Sequence, residues 1–350
     1  MNPIDTLAGK LDRTWPNLLQ AKEKSLAEQA RLTARLAEHV PNDASMVVFG
    51  SLARGEFTAG SDLDWTLLVD GRAADAHYVG AQTIARVLER EDIKKPGPTG
   101  VFGNFAFSHP IVHQIGGQDD TNKNTTQRIL LLLESCAIGQ GDVHERVLRL
   151  VLKRYMDDDR GILYGSRRQT IPMFLLNDIV RYWRTVTVDF VYKQRERASG
   201  WPLRNVKLRM SRKLIFASGL LSCFSFELFA GTKKLRNDAG KVIVENLVDF
   251  LWERVRLTPL DHLAEAIITL GVKDETALLI FDAYNRFIGL LQDKATRDHL
   301  ENLPLDDDLG ADPTFKIARD VAQQFQQGLN QLFFKENDRL TELTQQYGVF

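Results

Sequence analysis

An α+β protein is the fold class this 350-residue sequence predicts: a small mixed sheet first, then a larger all-helical region. Three observations lead there. Two runs of strand length, residues 46–49 and a second expected from Asp62 to Val69, are separated by a polar segment that contains glycine. Apolar residues before these runs, between residues 17 and 39, recur at helical spacing. After about residue 122 the pattern turns helical and stays so, and such a switch marks a second structural unit. The expected domains are therefore residues 1–122 and 123–350.

Composition supports two packed units, since 44% of the residues are hydrophobic. With 45 basic and 46 acidic residues the net charge is -1, so any basic surface has to be local. Cys136 and Cys223 sit in apolar, helical surroundings and read as buried thiols of a reducing compartment. The first residues lack a basic start followed by an apolar core, and no uncharged run reaches membrane-spanning length. A soluble cytoplasmic protein without a membrane partner is expected.

In chain order, Leu18, Leu32 and Leu36 mark one face of a first helix, which Pro41, Asn42 and Asp43 end. A strand follows at Met46–Phe49, then a turn at Gly50 and Ser51, and a second strand expected to open with Asp62 and Asp64. Residues 73–91 read as a helix and Lys94–Gly100 as a loop, with two prolines and two glycines in seven residues. Residues 101–115 have room for one or two short strands, although Pro110 argues against a central one. Gly116–Thr121 is a turn. Helices are expected over 125–138, 143–156, 171–195, 205–230, 239–255, 258–270 and 274–298, and from about 315 to 347. The aromatics of residues 174–192 recur at near-helical spacing and read as interior packing.

The chemistry concentrates between residues 46 and 69. In a strand, Asp62 and Asp64 fall on one face because side chains alternate. Two such carboxylates, beside N–H groups exposed at a glycine turn, suit a divalent cation bound to phosphates. Gly50 permits close backbone approach and the Ser51 hydroxyl can donate to a phosphate oxygen. Arg54 has two uses open to it, phosphate contact or bracing of the loop, while Gly55 serves backbone geometry.

The ordered set Gly50, Ser51, Arg54, Gly55, Ser61, Asp62 and Asp64 resembles the signature of the DNA polymerase beta-like nucleotidyltransferase superfamily. The resemblance covers about 25 residues, the span from Met46 to Val69. It implies Mg²⁺ or Mn²⁺ at Asp62 and Asp64, and a nucleoside triphosphate such as ATP held at Gly50, Ser51 and Arg54. A third metal carboxylate, in that superfamily, comes from a later strand, but residues 101–115 contain no acidic residue. Asp120 and Asp119 are the next candidates, and plain turn residues are the competing reading of both. Asp92 precedes the loop. A second stretch, with Thr126, Arg128, Glu134 and Gly139, is similar to bacterial signal-transduction nucleotidyltransferases related to the uridylyltransferase of nitrogen regulation. No HD-type phosphohydrolase motif accompanies it.

Two further features invite chemistry. Residues 193–213 hold Lys193, Arg195, Arg197, Arg204, Lys207, Arg209, Arg212 and Lys213. By analogy with the superfamily, Lys207, Ser211 and Lys213 are candidates for the triphosphate; a polynucleotide backbone or a solvated helix face would use the same residues. His109 and His113 are four apart, with Pro110 between them in a stretch that reads as extended; four apart in a strand still means one face, but no cysteine or acidic ligand lies near in the sequence, which favours a hydrogen-bonded or pocket-lining role over zinc. The functional expectation is transfer of a nucleoside monophosphate to a hydroxyl acceptor on a protein, a small molecule or a nucleotide. Its rivals are a nucleotide-binding regulatory protein with little or no transferase activity, and an RNA or tRNA nucleotidyltransferase.

Overall fold

The computed structural model describes residues 2–90, 101–164, 171–196, 200–229, 235, 237, 242–305 and 308–348. Asp92, the 94–100 loop and Arg197 lie outside the described residues. Helices α1 (Pro3–Lys10) and α2 (Pro16–Leu36) precede strand β1 (Ala44–Phe49). Then come α3 (Gly50–Ala53), β2 (Trp65–Val69), α4 (Asp75–Arg90), β3 (Asn104–Phe107), α5 (Ser108–His113), α6 (Asn122–Leu133) and β4 (Ser135–Ile138). The rest is helical: α7 (Asp142–Asp158), α8 (Arg160–Tyr164), α9 (Met173–Glu196), α10 (Trp201–Lys207), a π-helical turn (Leu208–Arg212), α11 (Lys213–Leu228), α12 (Val244–Val255), α13 (Pro259–Thr269), α14 (Asp274–Gln292), α15 (Lys294–Asn302), α16 (Pro313–Phe334) and α17 (Asp338–Leu343). Among the described residues no helix is long and apolar enough to cross a membrane.

The fold class is the one expected, a small mixed sheet with flanking helices and then a large helical region. The chain divides into two compact units: Ala21–Asp178 with Leu235–Thr258, and Met1–Gln20 with Ile179–Lys234 and Pro259–Phe350. This differs from a cut after residue 122, because residues 123–178 stay with the sheet.

In the sheet unit the strand order is β3-β2-β1-β4. β1 runs antiparallel to both β2 and β4, and β2 runs parallel to β3. All six residues of β1 and all five of β2 are buried, so both faces of these strands are covered. On one face Met46, Val48, Trp65 and Leu67 pack with Leu32 and Leu36 of α2 and with Ala81, Ile84 and Leu88 of α4. α7 packs against β1 and β2.

Strand β4 was hidden in the sequence, where residues 125–138 read as one helix. The helix stops at Leu133 because Glu134 takes φ -150° and ψ 51°, and Ser135–Ile138 then pair with β1. Residues 101–115 hold one short strand and a helix. The expected 274–298 and 315–347 helices are each broken, near Asp293 and Lys335. Cys223 is fully buried in a helix, as expected; Cys136 instead belongs to strand β4, opposite Val48, and is only partly buried by surface, while the burial of its thiol pushes the pKa up to about 12.

Polar groups inside this unit are paired. The Arg128 guanidinium is wholly buried; it donates to the Tyr155 hydroxyl at 2.7 Å, to Asp120 at 3.0 Å and to Asp178 at 2.7 Å. Burial opposes its charge, yet Tyr155 and the two carboxylates outweigh that and raise its pKa. The residue thus ties α6 to α7 and to the start of α9.

The other unit is helical throughout its described residues. α11 is buried around nearly its whole circumference and packs on α13; α14 packs lengthwise on α16. Gly328 allows that closeness, since a Cβ there would lie 2.5 Å from Ile280 Cγ1. Trp15 donates its indole N–H to Asp282 at 2.8 Å and so ties the N-terminal segment to α14.

Arg128→Met is expected to destabilise the fold by roughly 3–5 kcal/mol, because it strands two buried carboxylates. Urea unfolding of the variant beside the wild type measures the loss. A second expectation concerns His144, which burial pushes down to about 4 and whose Nε2 is hydrogen-bonded to Ser135 Oγ at 2.7 Å. From the ordinary imidazole value of 6.5 down to about 4, the unfolded chain takes up a proton that the folded chain refuses. The contribution of His144 is therefore full above that window and lost as pH falls through it. Urea midpoints of the wild type should drop more steeply across it than those of His144→Gln.

Candidate active site

The site begins where β1 ends. Phe49 donates its N–H to the Asp64 carbonyl at 2.9 Å, which carries the β1–β2 pairing one step past Trp65. Gly50 follows with φ +68°, a left-handed conformation that L side chains rarely adopt. A Cβ on Gly50 would lie 3.5 Å from Asp64 Oδ2, so the carboxylate rests against the bare glycine. Instead of a loose turn, Gly50 and Ser51 start the one-turn helix α3.

Asp62 and Asp64 stand just before β2 rather than within it. Leu63 between them is buried, whereas both aspartates are half-buried, so the chain turns its carboxylates away from the core. Asp62 makes no hydrogen bond or ion pair among the described residues, and neither does the Ser51 hydroxyl. The approach to Asp62 is held rigidly. Thr58 donates its N–H to Ser61 Oγ at 3.1 Å, and Phe57 donates its N–H to Ser25 Oγ of α2 at 3.0 Å.

Arg54 is buried and braces this loop. Its Nε and Nη2 donate to Glu56 Oε2 at 2.9 and 2.7 Å, and its Nη1 donates to Glu134. The guanidinium thereby fastens the end of α3 to the residue between α6 and β4. Of the two uses the sequence left to Arg54, this one is seen.

Asp120 is brought to Arg128, and its Oδ2 also accepts the Gly116 N–H at 2.9 Å. Among the described residues no group of three or more His, Cys, Asp or Glu side chains is arranged to hold a metal, so Asp120 does not complete a three-carboxylate set with Asp62 and Asp64. Its side chain is fully buried, where Arg128 is the stronger claimant.

Lys207, Ser211 and Lys213 belong to the helical unit. Lys207 and Lys213 flank the π-helical turn and Ser211 lies within it; Ser211 Oγ donates to the Lys207 carbonyl at 3.2 Å and Lys213 Nζ donates to Gln326. Burial, and then the charge of Arg209, lower the Lys213 pKa.

Two residues of the second sequence stretch prove structural. Arg128 and Glu134 were noticed only through resemblance, and the fold shows them as the centre of one buried ion cluster and an arm of the other. Glu56, another partner of Arg54, carried no signal beyond its place two residues after it.

Gly50→Ala should cost about 1–2 kcal/mol from the left-handed backbone alone, read as a lower urea midpoint.

The donor set fits a hard divalent cation. Mg²⁺ takes one or two carboxylates and fills its remaining positions with water and substrate phosphates, which is what Asp62 and Asp64 can offer. No curated protein matches the chain. Residues 30–96, which hold β1, α3, the two aspartates and β2, match the family model described as a nucleotidyltransferase domain, and that stretch carries such a domain.

Proposed function

We propose that the protein is a metal-dependent nucleotidyltransferase that moves a nucleoside monophosphate from a nucleoside triphosphate to a hydroxyl acceptor. The observation that carries the reading is the pair Asp62 and Asp64 presented beside Gly50, with Asp64 Oδ2 against the glycine. Both carboxylates would hold Mg²⁺ or Mn²⁺. Bound there, the ion would neutralise phosphate charge and lower the pKa of the attacking hydroxyl.

The chain's own groups divide the remaining work. The bare Cα of Gly50 leaves room for a phosphate oxygen, and the Ser51 hydroxyl, which has no partner among the described residues, donates to it. Arg54, Glu56 and Glu134 keep α3 in register with β4, so the phosphate-facing turn needs no ordering when substrate arrives. The acceptor oxygen bonds to the α-phosphorus and the bond from that phosphorus to the pyrophosphate oxygen breaks. Pyrophosphate leaves, and the hydroxyl proton passes to a carboxylate oxygen or to water.

A second reading has its own support. Among the described residues no third carboxylate joins Asp62 and Asp64, and a two-carboxylate site suits a protein that binds nucleotide as a regulatory ligand.

The test is incubation with each labelled nucleoside triphosphate and Mg²⁺ or Mn²⁺, reading pyrophosphate release and the labelled acceptor. Asp62→Asn and Asp64→Asn should each lower turnover by at least about 100-fold, the upper end of what losing even an outer partner of a metal costs, with Tm nearly unchanged. Unchanged turnover in both variants would overturn the proposal. Tight nucleotide binding by the wild type without pyrophosphate release would favour the regulatory reading.

A further inference from the structure

His109 and His113 lie outside the machinery described so far. Their spacing drew notice in the sequence, and the objection to a shared helix face was Pro110 in a stretch that read as extended. The structure removes it. Residues Ser108–His113 form helix α5, and Pro110 is its third residue. Inside the first turn an N–H has no intrahelical acceptor, so proline there removes no bond.

Four residues on a helix bring side chains onto one face. Both histidines are exposed, while Ile111 and Val112 between them are buried and fix which face is presented. The two imidazole centres are 5.1 Å apart, with the rings inclined at 47°. An ion bound tetrahedrally at about 2.1 Å from one nitrogen of each ring would hold two imidazole centres roughly 5 Å apart. The pair therefore already has the separation of a chelate.

We propose that His109 and His113 bind a borderline divalent transition-metal ion, Zn²⁺, Cu²⁺ or Ni²⁺, as a two-imidazole chelate with its other positions open to water or an outside ligand. Imidazole nitrogen suits these ions, whereas the paired carboxylates at Asp62 and Asp64 suit Mg²⁺. The two places lie at opposite ends of β2. The aspartates precede its first residue; α5 follows β3, which runs parallel to it. Five strand residues separate those ends by about 16 Å.

Asp70, just past β2, accepts from Ser108 Oγ at 2.5 Å and from Arg146 Nε at 2.7 Å. Burial opposes its charge, but Ser108, Arg146 and the nearby His113 hold its carboxyl below the usual range. Its charge is met by Arg146, so the two imidazoles are the only donors the proposal assigns to the ion. The other described histidines are placed differently: His77, His144 and His262 are buried, His39 lies 3.6 Å from Glu38, and His299 is paired with Asp312 at 2.8 Å.

The experiment is calorimetric titration of the untagged full chain, with Mg²⁺ in excess, using Zn²⁺, Cu²⁺ and Ni²⁺ in turn. The wild type should bind one ion per chain. His109→Ala and His113→Ala should each weaken that binding by at least about tenfold, the lower end of the cost of disturbing a metal's outer partners. Asp62→Asn/Asp64→Asn should leave it unchanged. Both histidines are exposed, so both single variants should fold, which circular dichroism checks. The Cu²⁺ adduct should show coupling to two nitrogens in its electron paramagnetic resonance spectrum. Absence of saturable binding, equal affinity in the histidine variants, or loss of binding in the aspartate variant would each overturn the proposal.

Discussion

Phe49 donates its N–H to the Asp64 carbonyl at 2.9 Å, and its Cα stands opposite Ser135 of β4. At this one residue the central strand is paired on both sides as it reaches its end. The register leaves no freedom for what comes next. Gly50 must leave the strand at φ +68°, and Asp64 must lie beside it. A slip of one residue would turn Asp64 toward the core and Leu63 outward. Because β1 and β2 are buried on both faces, such a slip would put charge among Met46, Val48 and Leu67, so the core protects the geometry of the site.

Two buried guanidinium groups extend that control beyond the strands. Arg54 spans Glu56 and Glu134, and so joins the loop after β1 to the start of β4. Arg128 spans Asp120 and Asp178, with Tyr155 completing the cluster: its hydroxyl donates to Asp178 at 2.5 Å. Each cluster joins elements far apart in sequence, and each is costly to break because removing its guanidinium leaves buried carboxylates without their counter-charge. Asp120 shows the consequence for function. A carboxylate committed to Arg128 in a dry interior is not available to a cation, whatever its place in the sequence suggests.

The two carboxylates that do stand outside the core differ in kind from the two imidazoles of α5. Half-buried oxygen donors beside a glycine suit a hard ion that travels with phosphates, while exposed nitrogen donors one helical turn apart suit a borderline ion. The same small sheet unit presents both, at the two ends of β2.

Much of this was legible in the residues alone. The order of Gly50, Ser51, Asp62 and Asp64 between two apolar runs is local information, as are α2, α4 and the later helices, because hydrophobic spacing records which face is buried. Strand β4 was not legible: Ile129–Leu133 and Ser135–Ile138 make one apolar stretch, and only pairing with β1 separates strand from helix. The partners of Arg54 and Arg128 were equally out of reach, since Glu134 and Asp178 lie 80 and 50 residues away. The division of residues 123–178 and 235–258 also depended on contacts distant in sequence. By itself the sequence determined which residues carry charge at which spacing. Tertiary structure alone decided which of those charges face one another in the interior and which are left to meet a ligand, because desolvation depends on neighbours that only the folded chain brings together.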